Sequence, residues 1–378
     1  MTKVLYFIIV VSFLDTFIQL PIITPYALDL GASHFMAGAI VAVYSLTNMV
    51  GNIFGGHLID LFGRKKLLLI GMLSAAVILF FYPFAQTPEH LFLIRLLHGL
   101  AGGVLIPAAF AYVGDKTRKG SRGKSMALTG ACIGIAAIIG PAVGGIMAAR
   151  AQIDYVFWLV AVLFLISSLL IVYFVEESFT SKERNKVAMG DFIPLLKHPL
   201  LIQASLAAFG LMVSNGTLAF ALPLKVQEMG LDSATTGMLL TTFGVIAIII
   251  FLSPTNAIYE KISPIYLVIT GLTIIGLVHL SLNFTAIPWV SFLLMMIYGV
   301  GFALVFPSMN QIVSEVSTMV DRGKAYGIFY AFFSLGSVAG SSLSGATTEV
   351  FGLPFTSSAT IMLGISVILF VMSGRRRV

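Results

Sequence analysis

Long apolar runs separated by short polar gaps dominate the chain. They fall near residues 4–27, 36–59, 67–85, 89–113, 125–149 and 155–175. After a polar stretch they resume near 199–224, 234–256, 265–284, 288–314, 325–350 and 354–372. A membrane-crossing helix needs about 20 consecutive apolar residues, and most of these runs meet or exceed that length. A helix satisfies its backbone N–H and C=O groups within its own segment, which hydrocarbon demands. The alternating segments of about ten residues that would signal a membrane barrel are missing. The pattern predicts an all-α membrane protein of twelve transmembrane helices, divided as bundle 1–175, linker 176–198 and bundle 199–378. The first run follows Lys3 as a signal peptide would. It exceeds the usual apolar region of roughly 7–15 residues, however, and contains Asp15, Pro21 and Pro25 with no small-residue cleavage site after it. It is read as a retained first helix.

Composition agrees with the pattern. Of the 378 residues, 58% are hydrophobic and 10% charged, where soluble domains carry about 25% charged residues. The net charge of +6 would by itself be compatible with a nucleic-acid partner. Placement of the basic residues argues otherwise. With a cytoplasmic N-terminus, nineteen of the 22 fall on the cytoplasmic side, including Arg64, Lys65, Lys66, Lys119, Arg122, Lys124, Arg322 and Lys324. Only Arg150 and Lys225 fall outside, and Arg95 lies within a helix. That bias is the positive-inside rule, so both termini are expected in the cytoplasm of a multi-pass inner-membrane protein. No nucleic-acid partner is expected. Cys132, the single cysteine, has no partner for a disulfide and reads as packing.

The two halves repeat. A shift of 200 residues aligns Gly99 with Gly299, Pro107 with Pro307, Asp115 with Glu315 and Gly140 with Gly340. It also superimposes Arg122-Gly123-Lys124 on Arg322-Gly323-Lys324. Six helices per half return the chain to the same side, which makes the repeat parallel. Substrate sites in such folds lie near the bilayer midplane, between the halves. Gly123-Lys124-Ser125 superficially resembles the end of a phosphate-binding loop, but the glycine that loop needs earlier is Arg118, and no strand precedes it. An ATP-driven pump is therefore excluded on this chain alone, and no cofactor is expected.

After the second helix the chain reads Gly56-His57-Leu58-Ile59-Asp60-Leu61-Phe62-Gly63-Arg64-Lys65-Lys66. This run resembles the G-x-x-x-D-x-x-G-R-[KR]-[KR] signature of the major facilitator superfamily, in that family's position between helices 2 and 3. The resemblance implies that Asp60 caps a helix of the opposite half and that Arg64 pairs with Asp115, together closing the cytoplasmic side. Gly56, Gly63 and Lys65 belong to the same gate motif. An acid at a helix N-terminus contributes about 0.3–1 kcal/mol, a suitable size for a gate that reopens.

Helix 4 carries Arg95-Leu96-Leu97-His98-Gly99, which resembles the superfamily's R-x-x-Q-G segment with His98 where glutamine is usual. An arginine deep in a membrane helix is a functional hypothesis by default; the alternative is that it snorkels to the outer interface. His98 is either a proton-handling group or only a hydrogen-bond donor. Asp15 lies mid-way along helix 1 with Gln19 one turn on. The superfamily resemblance puts helices 1, 4, 7 and 10 around a central cavity, where Asp15 and Arg95 would meet. Burial favours the neutral form of such an acid and a nearby cation its ionised form, a balance that a proton or cationic substrate can tip. A permanent ion pair that only fixes helix packing is the rival reading.

Gly140-Pro141-Ala142-Val143-Gly144-Gly145 on helix 5 resembles the G-P-x-x-G-G core of the drug antiporters' motif, with Ala127 and Ala136 where the longer motif has glycines. Proline kinks a helix and glycines admit a close neighbour, so a packing kink is the simpler alternative. Asn48, Asn215, Tyr298 and Phe302 are candidates for a substrate cavity, whereas His279 falls on a helix the resemblance makes peripheral. Taken together, the chain looks like the twelve-helix drug:proton antiporter branch. That implies a monomeric secondary transporter exchanging protons for amphiphilic or cationic small molecules. A nutrient or metabolite symporter and a lipid flippase are the alternatives.

Overall fold

Pro21 interrupts the first apolar run. It has no N–H to give the helix ladder, and its ring collides with the carbonyl four residues back. In the computed structural model, which describes residues 2–116, 122–177, 193–317 and 322–374, α1 spans Thr2–Ile18 and α2 spans Ile23–Asp29. Between them the chain tightens: Leu20 N–H donates to Phe17 O at 3.3 Å and Ile22 N–H to Gln19 O at 3.1 Å. The two pieces differ in direction by 45°. The unbroken first helix read from the sequence is therefore corrected to a bent span, with Asp15 one turn before the bend.

The first half continues with α3 (His34–Phe62), α4 (Arg64–Phe81), α5 (Pro88–Lys116), α6 (Arg122–Arg150) and α7 (Ile153–Phe174). The short α8 (Ile193–Leu196) leads into α9 (Pro199–Glu228), α10 (Ser233–Leu252), the short α11 (Ile258–Lys261), α12 (Pro264–Phe284), α13 (Pro288–Val316), α14 (Arg322–Phe351) and α15 (Thr356–Gly374). Among the described residues eleven helices are long and apolar enough to cross a membrane, twelve if the bent α1–α2 pair is one span. No strand occurs among the described residues. The protein is an all-α, multi-pass membrane protein.

These helices form two compact units. One comprises Met1–Lys182 with Val226–Thr241, the other Glu183–Lys225 with Thr242–Val378. The tail of α9 and the first half of α10 therefore pack with the first unit. Within that unit α3 and α5 lie so close that a Cβ on Gly99 would strike Thr47 Oγ1 and the Tyr44 carbonyl. Large apolar side chains such as Val77, Phe80 and Leu169 remain exposed, as lipid contact requires. In the second unit α12 packs on α13 and α15, and Thr217 of α9 donates to the Gly340 carbonyl of α14 at 3.2 Å.

Candidate functional site

The first unit buries a polar cluster drawn from four helices. Asp15 is 1% exposed and Arg95 6%, so neither side chain reaches an aqueous surface. Gln19 follows Asp15 by one helical turn, and its Nε2 donates to Asp15 Oδ1 at 2.7 Å. Its Oε1 accepts from Arg95 Nη1 at 2.9 Å. Gln19 thus stands between acid and base. The sequence-based expectation that Asp15 and Arg95 meet directly is corrected: an amide one turn from the acid reaches both, and the guanidinium is held elsewhere. Arg95 Nε donates to the Ile40 carbonyl at 3.3 Å, and its guanidinium lies over the Tyr44 ring at 4.4 Å. The snorkelling alternative fails, because the side chain turns inward.

His98, three residues along α5, is the ionisable neighbour closest to Asp15. Its Nε2 lies 3.2 Å from Asp15 Oδ2, although the approach lacks the alignment of a full hydrogen bond. Its Nδ1 lies 2.8 Å from the Tyr82 hydroxyl. Tyr44 completes the enclosure, its hydroxyl 3.3 Å from Thr16 Oγ1 and 3.5 Å from Asp15 Oδ2. Burial strengthens every charge interaction here, because little water remains to screen it. The cluster holds one carboxylate, one fixed cation and one imidazole, with amide and phenol groups completing the first layer.

The tyrosines were not legible from the sequence. Tyr44 and Tyr82 are two among 12 tyrosines and 30 phenylalanines, and only packing of α3 and α4 against α5 brings them to His98. A faint signal exists for Tyr82, which precedes Pro83. That proline ends α4 and starts the 3-10 turn Tyr82–Phe84, where a polar side chain is free to turn back on the bundle.

The helix 5 motif adjoins this cluster. A Cβ on Gly144 would strike the Ile18 carbonyl of α1, and one on Gly140 would lie 2.8 Å from Phe17 Cβ. On its other side Gly145 abuts the Ser233 carbonyl, and Gly237 the Pro141 carbonyl. Thr241 Oγ1 donates to the Ile138 carbonyl at 2.9 Å. So α6 is gripped between the end of α1, at Phe17 and Ile18 directly before Gln19, and the start of α10.

At the turn between α3 and α4, Gly63 has φ +99° and ψ 158°, a region open essentially only to glycine. The geometry reveals a partner that the motif did not predict: Glu177, just beyond α7, accepts from Arg64 N–H at 2.9 Å and Lys65 N–H at 3.2 Å. Lys65 Nζ donates to the Val172 carbonyl at 3.1 Å. Gly56 lies within α3. The side chains of Asp60 and Asp115 lie outside the described residues.

The candidate cavity residues separate. Asn48 accepts from Asn52 Nδ2 at 2.9 Å and faces Gly102 across the α3–α5 seam. Asn215 and Phe302 are half-buried, and Phe302 stacks on Phe306 at 5.4 Å. Tyr298 is fully buried, bonded to Ser214 Oγ at 2.7 Å and stacked on His279 at 5.8 Å. His279, expected at the periphery, is likewise fully buried, with Nε2 3.3 Å from Ser214 Oγ. The 200-residue shift relates Asp15 to Asn215, Arg95 to Met295 and His98 to Tyr298.

A family model for the Major Facilitator Superfamily matches residues 5–319 and 204–377. The chain belongs to the major facilitator superfamily. Its members carry small molecules across membranes, and this protein is a transporter rather than an enzyme. Among superfamily relatives, multidrug resistance protein MdtG of Salmonella dublin and of Salmonella typhimurium are each 25% identical over 354 residues, covering 92% of this chain and 86% of theirs. Solved structures of the same fold include a peptide transporter POT variant in complex with alafosfalin, with TM-score 0.81 at 15% identity, covering 99% of this chain and 94% of that one. A bacterial homologue of the human lysosomal transporter Spinster gives 0.80 at 12%, covering 99% and 95%. The human organic anion transporter MFSD10 gives 0.70 at 16%, covering 97% and 98%.

Proposed function

We propose that this superfamily member is a proton-coupled exporter of amphiphilic or cationic small molecules, working by alternating access with Asp15 as the proton carrier. The observation that carries the reading is a carboxylate 1% exposed that a glutamine, not the buried arginine, contacts directly. A carboxylate locked to a guanidinium would stay ionised throughout a cycle. One held by an amide and facing an imidazole can gain and lose a proton with modest rearrangement. The likeness to MdtG, named as a multidrug resistance protein, supports export. The helix 5 glycines packed on Phe17 and Ile18, directly before Gln19, support antiport, since movement of α6 would be felt by α1. We place the protein in the cytoplasmic membrane with both termini inside, two six-helix bundles as 1–175 and 199–378 joined by 176–198, and function as a monomer.

Proteoliposomes loaded with a lipophilic cationic dye test the reading. One unit of pH gradient is worth about 1.4 kcal/mol per proton, or about tenfold in dye ratio for one-to-one exchange. An imposed gradient should drive dye movement by the wild type and not by Asp15→Asn. Equal gradient dependence in both proteins would end the proton-carrier role. Gradient-driven accumulation in the direction of the protons would instead favour a symporter. Labelling of Lys65 by a membrane-impermeant reagent from outside intact cells would overturn the orientation.

A further inference from the structure

Tyr82 makes the closest polar contact to His98, and no part of the transport reading above uses it. Three contacts hold it in place. Its ring stacks on Phe157 of α7 at 4.4 Å and 22°. Its carbonyl accepts from the Tyr26 hydroxyl at 2.7 Å. Its own hydroxyl lies 2.8 Å from His98 Nδ1. Tyr82 is fully buried, so that hydroxyl has no water to turn to.

We propose that Tyr82 is a positioning residue for the proton site: its hydroxyl donates to His98 Nδ1 and so holds the imidazole in the tautomer that presents an N–H to Asp15. The inference rests on the reading of Asp15 as proton carrier. A neutral imidazole has one N–H and one lone pair. If Nδ1 carried the hydrogen, Nε2 would turn its lone pair toward Asp15 Oδ2 at 3.2 Å, and two electron-rich atoms would face each other in a buried site. The Tyr82 hydrogen would also lose its acceptor. With the hydrogen on Nε2 both conflicts vanish, because Tyr82 O–H fills the Nδ1 lone pair and Nε2–H faces the carboxylate.

The consequence concerns where the transported proton sits. With Nδ1 occupied, His98 offers no open lone pair, and the proton goes to Asp15. Tyr44 of α3 also faces the imidazole, with the Arg95 guanidinium over the Tyr44 ring; Tyr26 of α2 and Phe157 of α7 act behind Tyr82. No second acid is among these neighbours. Replacing Tyr82 by phenylalanine frees Nδ1 and gives the proton a second place to bind.

Nitrogen-15 NMR of the full-length protein, labelled at histidine and held in detergent, reads the tautomer directly, with His98→Asn identifying the signal. The wild type should show His98 with Nε2 protonated and Nδ1 bare, and Tyr82→Phe should move it to a mixture or to the opposite tautomer. In proteoliposomes Tyr82→Phe should shift the pH of half-maximal flux, and that shift should disappear in a His98→Asn background. Protonated Nδ1 in the wild type would overturn the proposal, and that spectrum decides even if the phenylalanine variant fails to fold. So would a Tyr82→Phe protein with reduced flux but an unmoved pH profile, as a purely packing role predicts. Failure of the underlying reading would appear separately, as proton coupling that survives Asp15→Asn.

Discussion

Exchanging Arg95 for lysine keeps the charge and tests whether the geometry of the cluster matters. Arginine uses three parts of one planar group: Nε on the Ile40 carbonyl, Nη1 on Gln19 Oε1 and the flat face on Tyr44. A lysine ammonium is a compact donor and cannot occupy these places at once. It forfeits at least one hydrogen bond from a charged donor, worth about 1.5–3 kcal/mol, and part of a desolvated cation–π contact of about 2 kcal/mol. A net loss of about 3 kcal/mol is a reasonable centre. Spread over a first unit of roughly 200 residues, that lowers the unfolding midpoint by about 7 °C. The chain supplies its own reporter, since Cys132 is the sole cysteine and is buried. A maleimide dye that fluoresces on reaction with the thiol reads unfolding in detergent. The same variant should show slowed, less pH-driven flux, because Gln19 loses the partner that orients it toward Asp15. A midpoint within about 2 °C of wild type, with normal flux, would refute the reasoning.

Other expectations use the same dye and flux assays. Gly63→Ala should cost about 1–3 kcal/mol, because alanine rarely adopts such a backbone angle and its Cβ would sit 2.5 Å from Glu177 Oε2. Glu177→Gln should be milder, about 0.3–1 kcal/mol from the lost charge at the start of α4; a larger loss than for Gly63→Ala would count against the capping account. Ser214→Ala leaves the buried Tyr298 hydroxyl without its partner and should cost about 1–3 kcal/mol while leaving proton coupling intact. Gly144→Val drives a methyl into the Ile18 carbonyl and should cut both folded yield and flux, by at least the 1–3 kcal/mol or so of ordinary overpacking.

Much of this was readable along the chain. Helix number followed from the lengths of the apolar runs, since lipid leaves an apolar segment few ways to satisfy its backbone. Asp15, Gln19, Arg95 and His98 stood out because a polar side chain in such a run demands a reason. What stayed hidden depended on three dimensions. Gln19 looked like a companion of Asp15, and only the approach of α5 made it a bridge to Arg95. Tyr82 and Tyr44 come from other helices and carry no local signature. Pro21 was visible, but the bend it imposes follows from how its neighbours Leu20 and Ile22 find carbonyls at Phe17 and Gln19. Glu177 lies more than a hundred residues from the glycine turn it caps, a separation no motif expresses.

The swap of Asp15 for Asn215, and of Arg95 for Met295, across the two halves has an evolutionary reading. A duplicated bundle that began with twin sites would have drifted into a division of labour, one copy keeping the ionic load and the other becoming electrically silent. On the proposed reading of Asp15 as proton carrier, changes in the silent copy would retune which cargo is accepted without disturbing how its movement is powered. A lineage built this way can acquire new specificities quickly while its energetics stay inherited.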